Sequence, residues 1–277
     1  MTKTIVITGA SDGIGAAAAR ELVSLGEHVV VVGRSLMKTK AIAEELGVDY
    51  FTADFAKLSE VRTLAANLKK KYKTIDVLAN NAGGMLDSSS KTEDGFGLAF
   101  QVNYLAPFLL THLLLDTLIA SKATIINTSS MAHLRAGSLR FDDLAHSIRH
   151  SGWGAYASVK LLNILFTREF NAQYAHKGVS AVAFHPGVVK TSFGTEGSKL
   201  VKAFYSSWLA SVVFLTPAQG ADTLVWLATH EAKKDWKPGE YYVKRKIAAT
   251  SREARNTKLA TKVWDDTLRL LDLPDAE

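Results

Sequence analysis

The sequence contains no cysteine among its 277 residues. Disulfide bonds, thiolate nucleophiles and zinc sites built on cysteine are therefore excluded. A chain without cysteine is compatible with a reducing compartment, and we expect a cytoplasmic protein.

Long hydrophobic runs are also lacking. The opening "MTKTIVITGA" has too few apolar residues before Gly9 for a signal peptide and is typical of a first strand. The most apolar later stretch, at 203–216, is shorter than the roughly 20 residues that span a bilayer. It is a buried helix, a mobile lid over an apolar site or a membrane-surface contact, and no transmembrane segment is expected.

Charge of one sign is not concentrated anywhere. The formal net charge is +6 and the isoelectric point is about 9.3, which would suit an anionic ligand. The positive runs at 69–73 and 244–246 are short and belong to no recognisable nucleic-acid module. The eight histidines show no metal-ligand spacing. We therefore expect a small-molecule substrate, no nucleic-acid partner and no metal.

The sequence does contain a regular alternation of strand-like and helix-like segments. Strands are predicted at 4–8, 28–33, 48–54, 75–81, 123–130 and 179–187, and helices at 13–26, 36–46, 57–72, 94–119, 153–177, 217–230 and 253–272. Parallel strands need such crossovers, which wind onto both faces of one sheet. The predicted fold is α/β, a doubly wound parallel sheet of Rossmann type, in a single domain over residues 1–277.

A glycine-rich segment, "TGASDGIG" at 8–15, lies between the first strand and the first helix. Its glycines at 9, 13 and 15 depart from the G-x-G-x-x-G spacing. They still allow a tight turn, close backbone approach and helix–strand packing. The helix N-terminus that follows can bind a pyrophosphate. A glycine-rich turn without a ligand is the alternative, which the position directly after the first strand disfavours.

The second strand ends in "VVVVGRS" rather than in a carboxylate. An acidic side chain there accepts hydrogen bonds from the adenosine ribose in many NAD-binding domains. Arg34 would instead attract a 2′-phosphate, which indicates NADP(H) rather than NAD(H). Asp12 in the glycine loop argues against this preference, and an arginine in a surface loop is the alternative.

Tyr156 and Lys160 lie four positions apart in "YASVK". On a helix this spacing places both side chains on one face. A tyrosine with an ordinary pKa near 10 is a poor acid at neutral pH, and a neighbouring cation lowers that pKa. The pair could therefore be a proton-transfer centre. Alone, it could equally be an exposed helix pair.

Taken in order, these segments resemble the motifs of the short-chain dehydrogenase/reductase family over about residues 3–230. The resemblance implies hydride transfer between a nicotinamide and a carbonyl or alcohol. It implies that Tyr156 is the proton donor and acceptor, that Lys160 assists it, that Ser130 of "NTSS" binds the substrate oxygen and that Asn103 holds a water. Ser129 is rejected, because the family's active serine is the last of this pair.

The same resemblance implies the cofactor contacts. Asp54 would contact the adenine, "NNAG" at 80–83 would support the sheet beside the cofactor, and Thr191 of "HPGVVKT" would hold the carboxamide. His185 is interpreted as a wall residue. The predicted cofactor-binding residues are Gly9, Ser11, Asp12, Gly13, Ile14, Gly15, Arg34, Asp54, Phe55, Asn81, Ala82, Gly83, Tyr156, Lys160, Pro186, Gly187, Val188 and Thr191.

The segment between Ser130 and Tyr156 is longer than the commonest family spacing. Together with "LTPAQGADTLVWLA", it is similar to the branch that contains retinol dehydrogenases. Members of that branch act on retinoids, long-chain aldehydes, steroids and other apolar carbonyls, so we expect an apolar substrate. The substrate-covering segments are predicted near 131–155 and 192–216.

Two functions remain open at this point. The first is an NADP(H)-dependent oxidoreductase, and the second is a catalytically silent NADP(H)-binding sensor or interaction protein with the same fold. The sequence retains both Tyr156 and Lys160, which favours the enzyme. The resemblance also implies a homodimer or homotetramer formed through the helices near 103–119 and 153–177.

Overall fold

Two of the most hydrophobic segments form neighbouring interior strands of one sheet. The computed structural model describes residues 2–87, 90–136, 152–189 and 215–274. Strand β1 is Thr4–Thr8 and strand β2 is His28–Gly33, and they pair in parallel. Every residue of β2 after His28 is buried, so both faces of the sheet are covered there.

The remaining elements alternate along the chain much as the sequence predicts. In the first half they are α1 (Gly13–Ser24), α2 (Leu36–Leu46), β3 (Asp49–Thr52), α3 (Leu58–Lys71) and β4 (Val77–Asn80). In the second half they are α4 (Leu98–Phe100), α5 (Ala106–Leu113), α6 (Leu115–Ala120), β5 (Thr124–Thr128), α7 (Gly152–Tyr174), β6 (Ser180–His185), α8 (Pro217–Thr229), β7 (Tyr241–Val243), β8 (Lys246–Ile247) and α9 (Thr257–Leu270).

The strand order is β3-β2-β1-β4-β5-β6-β7-β8, and all pairs are parallel except β7 with β8. The chain leaves β1 toward β2 and β3 on one side and continues from β4 on the other. Ligands of such sheets bind at the carboxyl ends of the strands where the order reverses. The topology therefore places a binding cleft above β1 and β4, and the predicted doubly wound parallel sheet is confirmed.

Two hydrophobic layers cover the two faces of the sheet. Side chains of β1 alternate between them, because Val6 packs with α3, α5 and α7 whereas Ile5 and Ile7 pack with α1 and α8. The first layer contains Leu64 of α3, and the second contains Leu22 of α1. This packing from both sides fixes the positions of the strand ends, on which the site depends.

Helix α9 covers the outer side of α5 and α7. The Trp264 ring lies 4.8 Å from the Phe108 ring and 5.9 Å from the Phe166 ring, centre to centre. The buried hydroxyls of Tyr104 and Thr267 are 2.8 Å apart. Residues 157–167 of α7 are all buried within this one chain. Helix α7 is therefore enclosed by the sheet on one side and by α9 on the other.

The structure differs from the sequence-based expectation in two places. Strands β7 and β8 were not predicted, because segments of three and two residues are too short to show alternation. The helix predicted over 94–119 is divided by a π-helical turn at Gln101–Leu105 and again at Leu114. Residues 203–214 of the apolar stretch, 137–151 of the first covering segment and 192–214 of the second lie outside the described residues.

Candidate active site

A cleft of about 650 Å³ lies at the carboxyl ends of the central strands. Loops after β1, β2, β3, β4, β5 and β6 all contribute to its walls. The residues that line it are Gly9, Ser11, Asp12, Gly13, Ile14, Val32, Gly33, Arg34, Ser35, Lys38, Ala53, Asp54, Phe55, Asn81, Ala82, Gly83, Gly84, Met85, Leu86, Leu98, Val102, Thr128, Ser129, Ser130, Trp153, Tyr156, Lys160, His185, Pro186, Gly187, Val188 and Val189.

The glycine loop approaches β4 too closely for larger residues. A Cβ atom on Gly9 would lie 2.7 Å from the Ala82 Cα, and the φ of Gly9 is +66°. A Cβ atom on Gly15 would lie 2.4 Å from the Gly9 carbonyl oxygen. Gly15 does not line the cleft: it packs helix α1 against the loop behind it. The close approach at these glycines leaves the loop backbone and the α1 N-terminus facing the cleft.

Polar side chains tie the ends of β1 and β4 together. The Thr8 hydroxyl accepts hydrogen bonds from the backbone N–H groups of Asn81 and Ala82, each at 3.0 Å. The Asn81 amide donates to the Thr8 carbonyl at 3.0 Å. Deeper in the sheet, the buried Asn80 amide donates to the Asn127 side chain at 3.0 Å. These hydrogen bonds fix the ends of β1, β4 and β5 relative to one another at the bottom of the cleft.

One end of the cleft carries positive charge. Arg34 follows β2, and Lys38 follows it by one turn on α2, where its Nζ lies 3.1 Å from Oδ2 of Asp12. Oδ1 of Asp12 also accepts from the Gly13 N–H at 2.7 Å and so caps α1. From the sequence alone, the negative charge of Asp12 argues against a phosphate at this end. Lys38 partly offsets that charge. Lys38 was not predicted, although its position four residues after Arg34 at a helix start was a usable signal.

Asp54 and Phe55 form the neighbouring wall. Oδ1 of Asp54 accepts a hydrogen bond from the Ala56 N–H at 3.0 Å, and the Asp54 N–H donates to Glu60 at 2.8 Å. Phe55 is buried beneath the wall. The carboxylate is thereby held at the cleft by its own loop, as the predicted adenine contact requires.

Lys160 is buried behind the centre of the cleft. Its side chain is only 4 % exposed, and its Nζ donates to the Thr128 carbonyl at 3.1 Å and lies 5.4 Å from the centre of the Tyr156 ring. Burial lowers the pKa of Lys160 to about 8. Tyr156 is half-buried on the same helix and faces the cleft. The structure therefore brings the predicted tyrosine–lysine pair together beside the strand ends.

The two serines after β5 have different environments. The Ser129 hydroxyl is buried and donates to the Lys160 carbonyl at 2.7 Å. The Ser130 hydroxyl oxygen accepts from the Ala132 N–H at 3.2 Å, in the 3-10 turn Met131–Arg135. Because that oxygen serves as an acceptor, its hydrogen can be donated to a ligand in the cleft.

Asn103 lies behind the cleft wall rather than on it. It is 1 % exposed, its Oδ1 accepts from the Gly84 N–H at 2.9 Å, and its Nδ2 donates to the Gly84 carbonyl at 3.1 Å and the Ala99 carbonyl at 2.9 Å. A Cβ atom on Gly83 would lie 2.5 Å from Asn103 Oδ1. The side chain therefore fixes the Gly83–Gly84 backbone. The water-holding role implied by the resemblance stays a prediction.

The loop after β6 closes the other side of the cleft. His185 is buried, and this burial, with the nearby Lys160 charge acting in the same direction, lowers its pKa to about 4. It is neutral at physiological pH and serves as a wall, as predicted. Pro186, Gly187 and Val188 line the cleft beside it. Thr191 lies outside the described residues.

Apolar side chains surround the position above Tyr156. Trp153 is 50 % exposed, and its ring centre lies 6.1 Å from that of Tyr156. Val188 is also exposed, and Met85, Leu86 and Leu98 line the same cleft. Sequence reasoning did not single out these residues, because isolated apolar residues in loops carry no pattern. Their arrangement favours an apolar ligand at this end.

The geometry fits a dinucleotide that carries a nicotinamide. The glycine loop offers backbone N–H groups and a helix N-terminus to a pyrophosphate, Arg34 and Lys38 face the adenosine end, and Tyr156 faces the opposite end. Within the described ranges, no group of three or more His, Cys, Asp or Glu side chains could hold a metal ion. In the same part of the chain, no helix is long and apolar enough to cross a membrane.

Comparison with known proteins gives a consistent result. A family model described as short chain dehydrogenase matches residues 3–200. Human retinol dehydrogenase 13 is 36% identical over 98% of this chain and 85% of its own length. A Streptomyces sp. (strain C5) protein named as a daunorubicin C-13 ketoreductase is 38% identical over 95% of this chain and 90% of its own length. A solved structure of an uncharacterised protein from Mycobacterium paratuberculosis superposes with a TM-score of 0.78 at 29% identity, over 99% of this chain and 95% of that chain.

The buried charge of Lys160 predicts a specific pH dependence of stability. Its folded-state pKa, about 8, lies below the ordinary 10.5, so above pH 8 the unfolded chain binds more protons than the folded chain. The contribution of Lys160 to the free energy of unfolding therefore becomes less unfavourable as pH rises from about 8 to 10.5. At neutral pH the buried ammonium lowers the free energy of unfolding by about 3 kcal/mol. We expect Lys160→Met to raise the free energy of unfolding at pH 7 by about 1–3 kcal/mol and the gain to shrink by pH 10.

Urea unfolding of the wild type and of Lys160→Met at pH 7 and pH 10 measures the gap between their free energies of unfolding. Lys70→Met is the matched control, because Lys70 is exposed in the last turn of α3 and should give no pH-dependent gap. A Lys160→Met gap of the same size at both pH values would contradict a charge burial cost.

Proposed function

The chain belongs to the short-chain dehydrogenase family, and we propose that it is an NADP(H)-dependent oxidoreductase for an apolar carbonyl or alcohol. Membership makes it a dehydrogenase/reductase that acts on CH–OH or C=O groups and implies a nicotinamide cofactor. One observation carries the proposal: Ser130, Tyr156 and Lys160 converge on the cleft that the glycine loop opens.

Tyr156 is the proposed proton donor to the carbonyl oxygen. In reduction the cofactor supplies a hydride to the carbonyl carbon, and the Tyr156 O–H supplies the proton to the oxygen. Tyr156 is left as a phenolate, whose negative charge the Lys160 ammonium at the ring stabilises. Because the Thr128 carbonyl holds Lys160 from the other side, the cation cannot move away from the ring. In oxidation the same groups take the proton back.

Ser130 is the proposed donor to the developing oxyanion. Its backbone carbonyl accepts the His133 N–H at 3.1 Å, and its hydroxyl oxygen accepts the Ala132 N–H, so its hydroxyl hydrogen is available for donation into the cleft. A donor that is already oriented costs no reorganisation when charge develops. Ser129 has no such freedom, because it is bound to the Lys160 carbonyl.

The preference for NADP(H) rests on charge at the adenosine end. Arg34 and Lys38 line the cleft together with the hydroxyl residues Ser11 and Ser35. Two cations and two hydroxyl groups match a 2′-phosphate, and no carboxylate follows β2 to accept bonds from an unphosphorylated ribose. The carboxylate of Asp12 is engaged by Lys38 and by the α1 N-terminus.

The apolar substrate is supported by the walls above Tyr156. Trp153 and Val188 face the space that a substrate carbonyl must enter, and both are exposed there. Two relatives are named for retinol and for the C-13 ketone of daunorubicin, an alcohol and a carbonyl. We propose a substrate of the apolar class: a retinoid, a long-chain aldehyde, a steroid or a similar ketone, with the segments 131–155 and 192–216 covering it.

The cytoplasmic location expected from the sequence stays a prediction.

The oligomeric state is proposed from the enclosure of α7. The homodimer or homotetramer implied by the resemblance would use the helices near 103–119 and 153–177. In this chain residues 157–167 are buried by its own elements, and Trp264 fills the space between α5 and α7. We therefore propose that α9 takes the place of a partner at this face and that the protomer is a monomer.

Turnover of apolar carbonyls is the first prediction of this proposal. NADPH consumption is measured with retinal, aliphatic aldehydes, steroid ketones and aromatic ketones. We expect turnover of at least one apolar member and a loss of about 10²–10⁴-fold in Tyr156→Phe, since the proton donor is removed. NADPH binding should be retained. Tyr50→Phe, an exposed tyrosine on β3, is the matched control.

Two results would overturn the proposal. Wild-type turnover in Tyr156→Phe would remove the tyrosine from the mechanism. Binding of NADPH with no turnover of any panel member would instead support the sensor or interaction protein.

The cofactor preference gives a second prediction. Arg34→Ala and Lys38→Ala should each raise the dissociation constant for NADPH by about 10–100-fold, because each removes a charge-assisted contact to the phosphate. The constant for NADH should stay the same. Isothermal titration with both cofactors measures this, with Arg20→Ala as a control that removes an exposed arginine paired with Glu45. Equal losses for NADPH and NADH would contradict a 2′-phosphate site.

The monomer gives a third prediction. Light scattering after size-exclusion chromatography should give a mass near 30.1 kDa at micromolar concentration. A species of twice that mass across the dilution range would contradict the assignment. The measurement requires no substrate and is independent of the catalytic proposal.

A further inference from the structure

A buried histidine lies one turn beyond the proposed oxyanion donor. His133 is 0 % exposed, and its ring meets the ring of Tyr241 edge-on at 4.9 Å between centres. Its Nδ1 is 2.7 Å from the Ser130 carbonyl oxygen. The position joins the 3-10 turn after β5 to strand β7. Neither the sequence motifs nor the mechanism above gives this side chain a task.

The hydrogen-bond pattern fixes the tautomer of His133. A carbonyl oxygen only accepts, so Nδ1 must carry the hydrogen. Nε2 is then an acceptor in the neutral ring, and it is buried with no hydrogen-bond partner among the residues that the structure describes. Burial lowers the pKa of His133 and outweighs the hydrogen bond to the Ser130 carbonyl, which raises it; the nearby Arg168 charge also lowers this pKa. The facing groups Tyr241 and His185 bring no negative charge, so the ring is neutral.

Two hydrogen bonds from one residue therefore hold the Ser130 carbonyl. The His133 backbone N–H donates at 3.1 Å and its Nδ1–H at 2.7 Å, while the Ser130 hydroxyl oxygen accepts from Ala132. Ser130 is thus fixed through its carbonyl and through its side chain. With both fixed, its hydroxyl hydrogen remains available for donation into the cleft that Ser130 lines.

We propose that His133 is a positioning residue, which sets the direction of the Ser130 hydroxyl through the Ser130 carbonyl. This inference rests on the proposed function, since it needs Ser130 to donate to the substrate oxygen. It adds a residue that touches neither substrate nor cofactor.

Packing alone does not account for a histidine at this position. A phenylalanine has nearly the same shape, would keep the edge contact with Tyr241 and would remove the unpaired Nε2. Leaving a buried acceptor unpaired destabilises the folded chain. A purely structural role would therefore be filled at least as well by phenylalanine, whereas a positioning role needs the Nδ1–H.

The test is a double-mutant cycle between His133 and Ser130. The variants are His133→Phe, Ser130→Ala and the double variant, assayed with NADPH and the panel carbonyl turned over fastest by the wild type. Turnover is expressed per NADPH-binding site determined by titration, so that misfolded protein does not count. We expect His133→Phe to lower kcat by about tenfold or more with an unchanged NADPH dissociation constant. In the Ser130→Ala background the same change should have less than about a twofold effect.

A conservative variant and a matched control complete the test. In His133→Asn the amide Nδ2–H stands where Nδ1–H was, so kcat should recover to within about threefold of wild type. His112 lies on α5, away from the cleft, and its buried Nδ1 has no hydrogen-bond partner among the described residues. His112→Phe should therefore leave kcat unchanged. If His133→Phe binds no NADPH, the cycle is run with His133→Leu.

The outcomes separate the two proposals. Additive losses in the cycle, or wild-type kcat in His133→Phe, would overturn the positioning role and leave Ser130 in place. Undiminished turnover in Ser130→Ala alone would overturn the oxyanion role of Ser130 in the proposed function, and the positioning role with it. No recovery in His133→Asn would show that the shape of the ring, rather than its Nδ1–H, is required.

Discussion

A reciprocal pair of hydrogen bonds between the end of β5 and helix α7 is the contact on which the site depends. Lys160 extends its ammonium to the Thr128 carbonyl, and Ser129 extends its hydroxyl to the Lys160 carbonyl. Strand end and helix are thereby locked in one register. Since the helix carries Tyr156 and the strand end carries Ser130, this lock sets the distance between proton donor and oxyanion donor.

The rest of the fold brings backbone close to that lock. Gly83 can approach the Asn103 carboxamide and Lys160 only because it lacks a side chain, and Asn103 holds the neighbouring Gly84 backbone through both its Oδ1 and its Nδ2. Asn103 itself lies in a π-helical turn, a feature that is frequent at functional sites and that shifts the helix face by one residue. Gly83, which has no side chain, thus leaves the cleft open, and the buried amide of Asn103 holds the backbone behind it.

The fold was predictable from the sequence because its elements have local signals. The β-branched runs identified the first strands, and the helical spacing of Tyr156 and Lys160 predicted that they share one helix face, as they do in the structure. Other features depend on contacts between distant segments. Lys38 matters because α2 passes Asp12, Trp153 because its helix starts beside the cleft, and His133 because β7 lies next to the 3-10 turn. The enclosure of α7 by α9 is a tertiary fact of the same kind, which no motif records.

Stability and function draw on different parts of the molecule. On the α9 side, aromatic rings fill the space between helices and the Tyr104 and Thr267 hydroxyls satisfy each other. On the cleft side, the folded chain carries a buried cation without a carboxylate partner in the described residues, together with unpaired polar atoms on His133, His185 and Tyr241. Each of these lowers stability, because a buried polar group without a partner loses its hydration for no return. Such costs persist where the surrounding structure over-determines them, which is typical of active sites. The aromatic face under α9 therefore provides the rigidity that allows the polar groups around Ser130 and Tyr156 to be held where water would otherwise solvate them better.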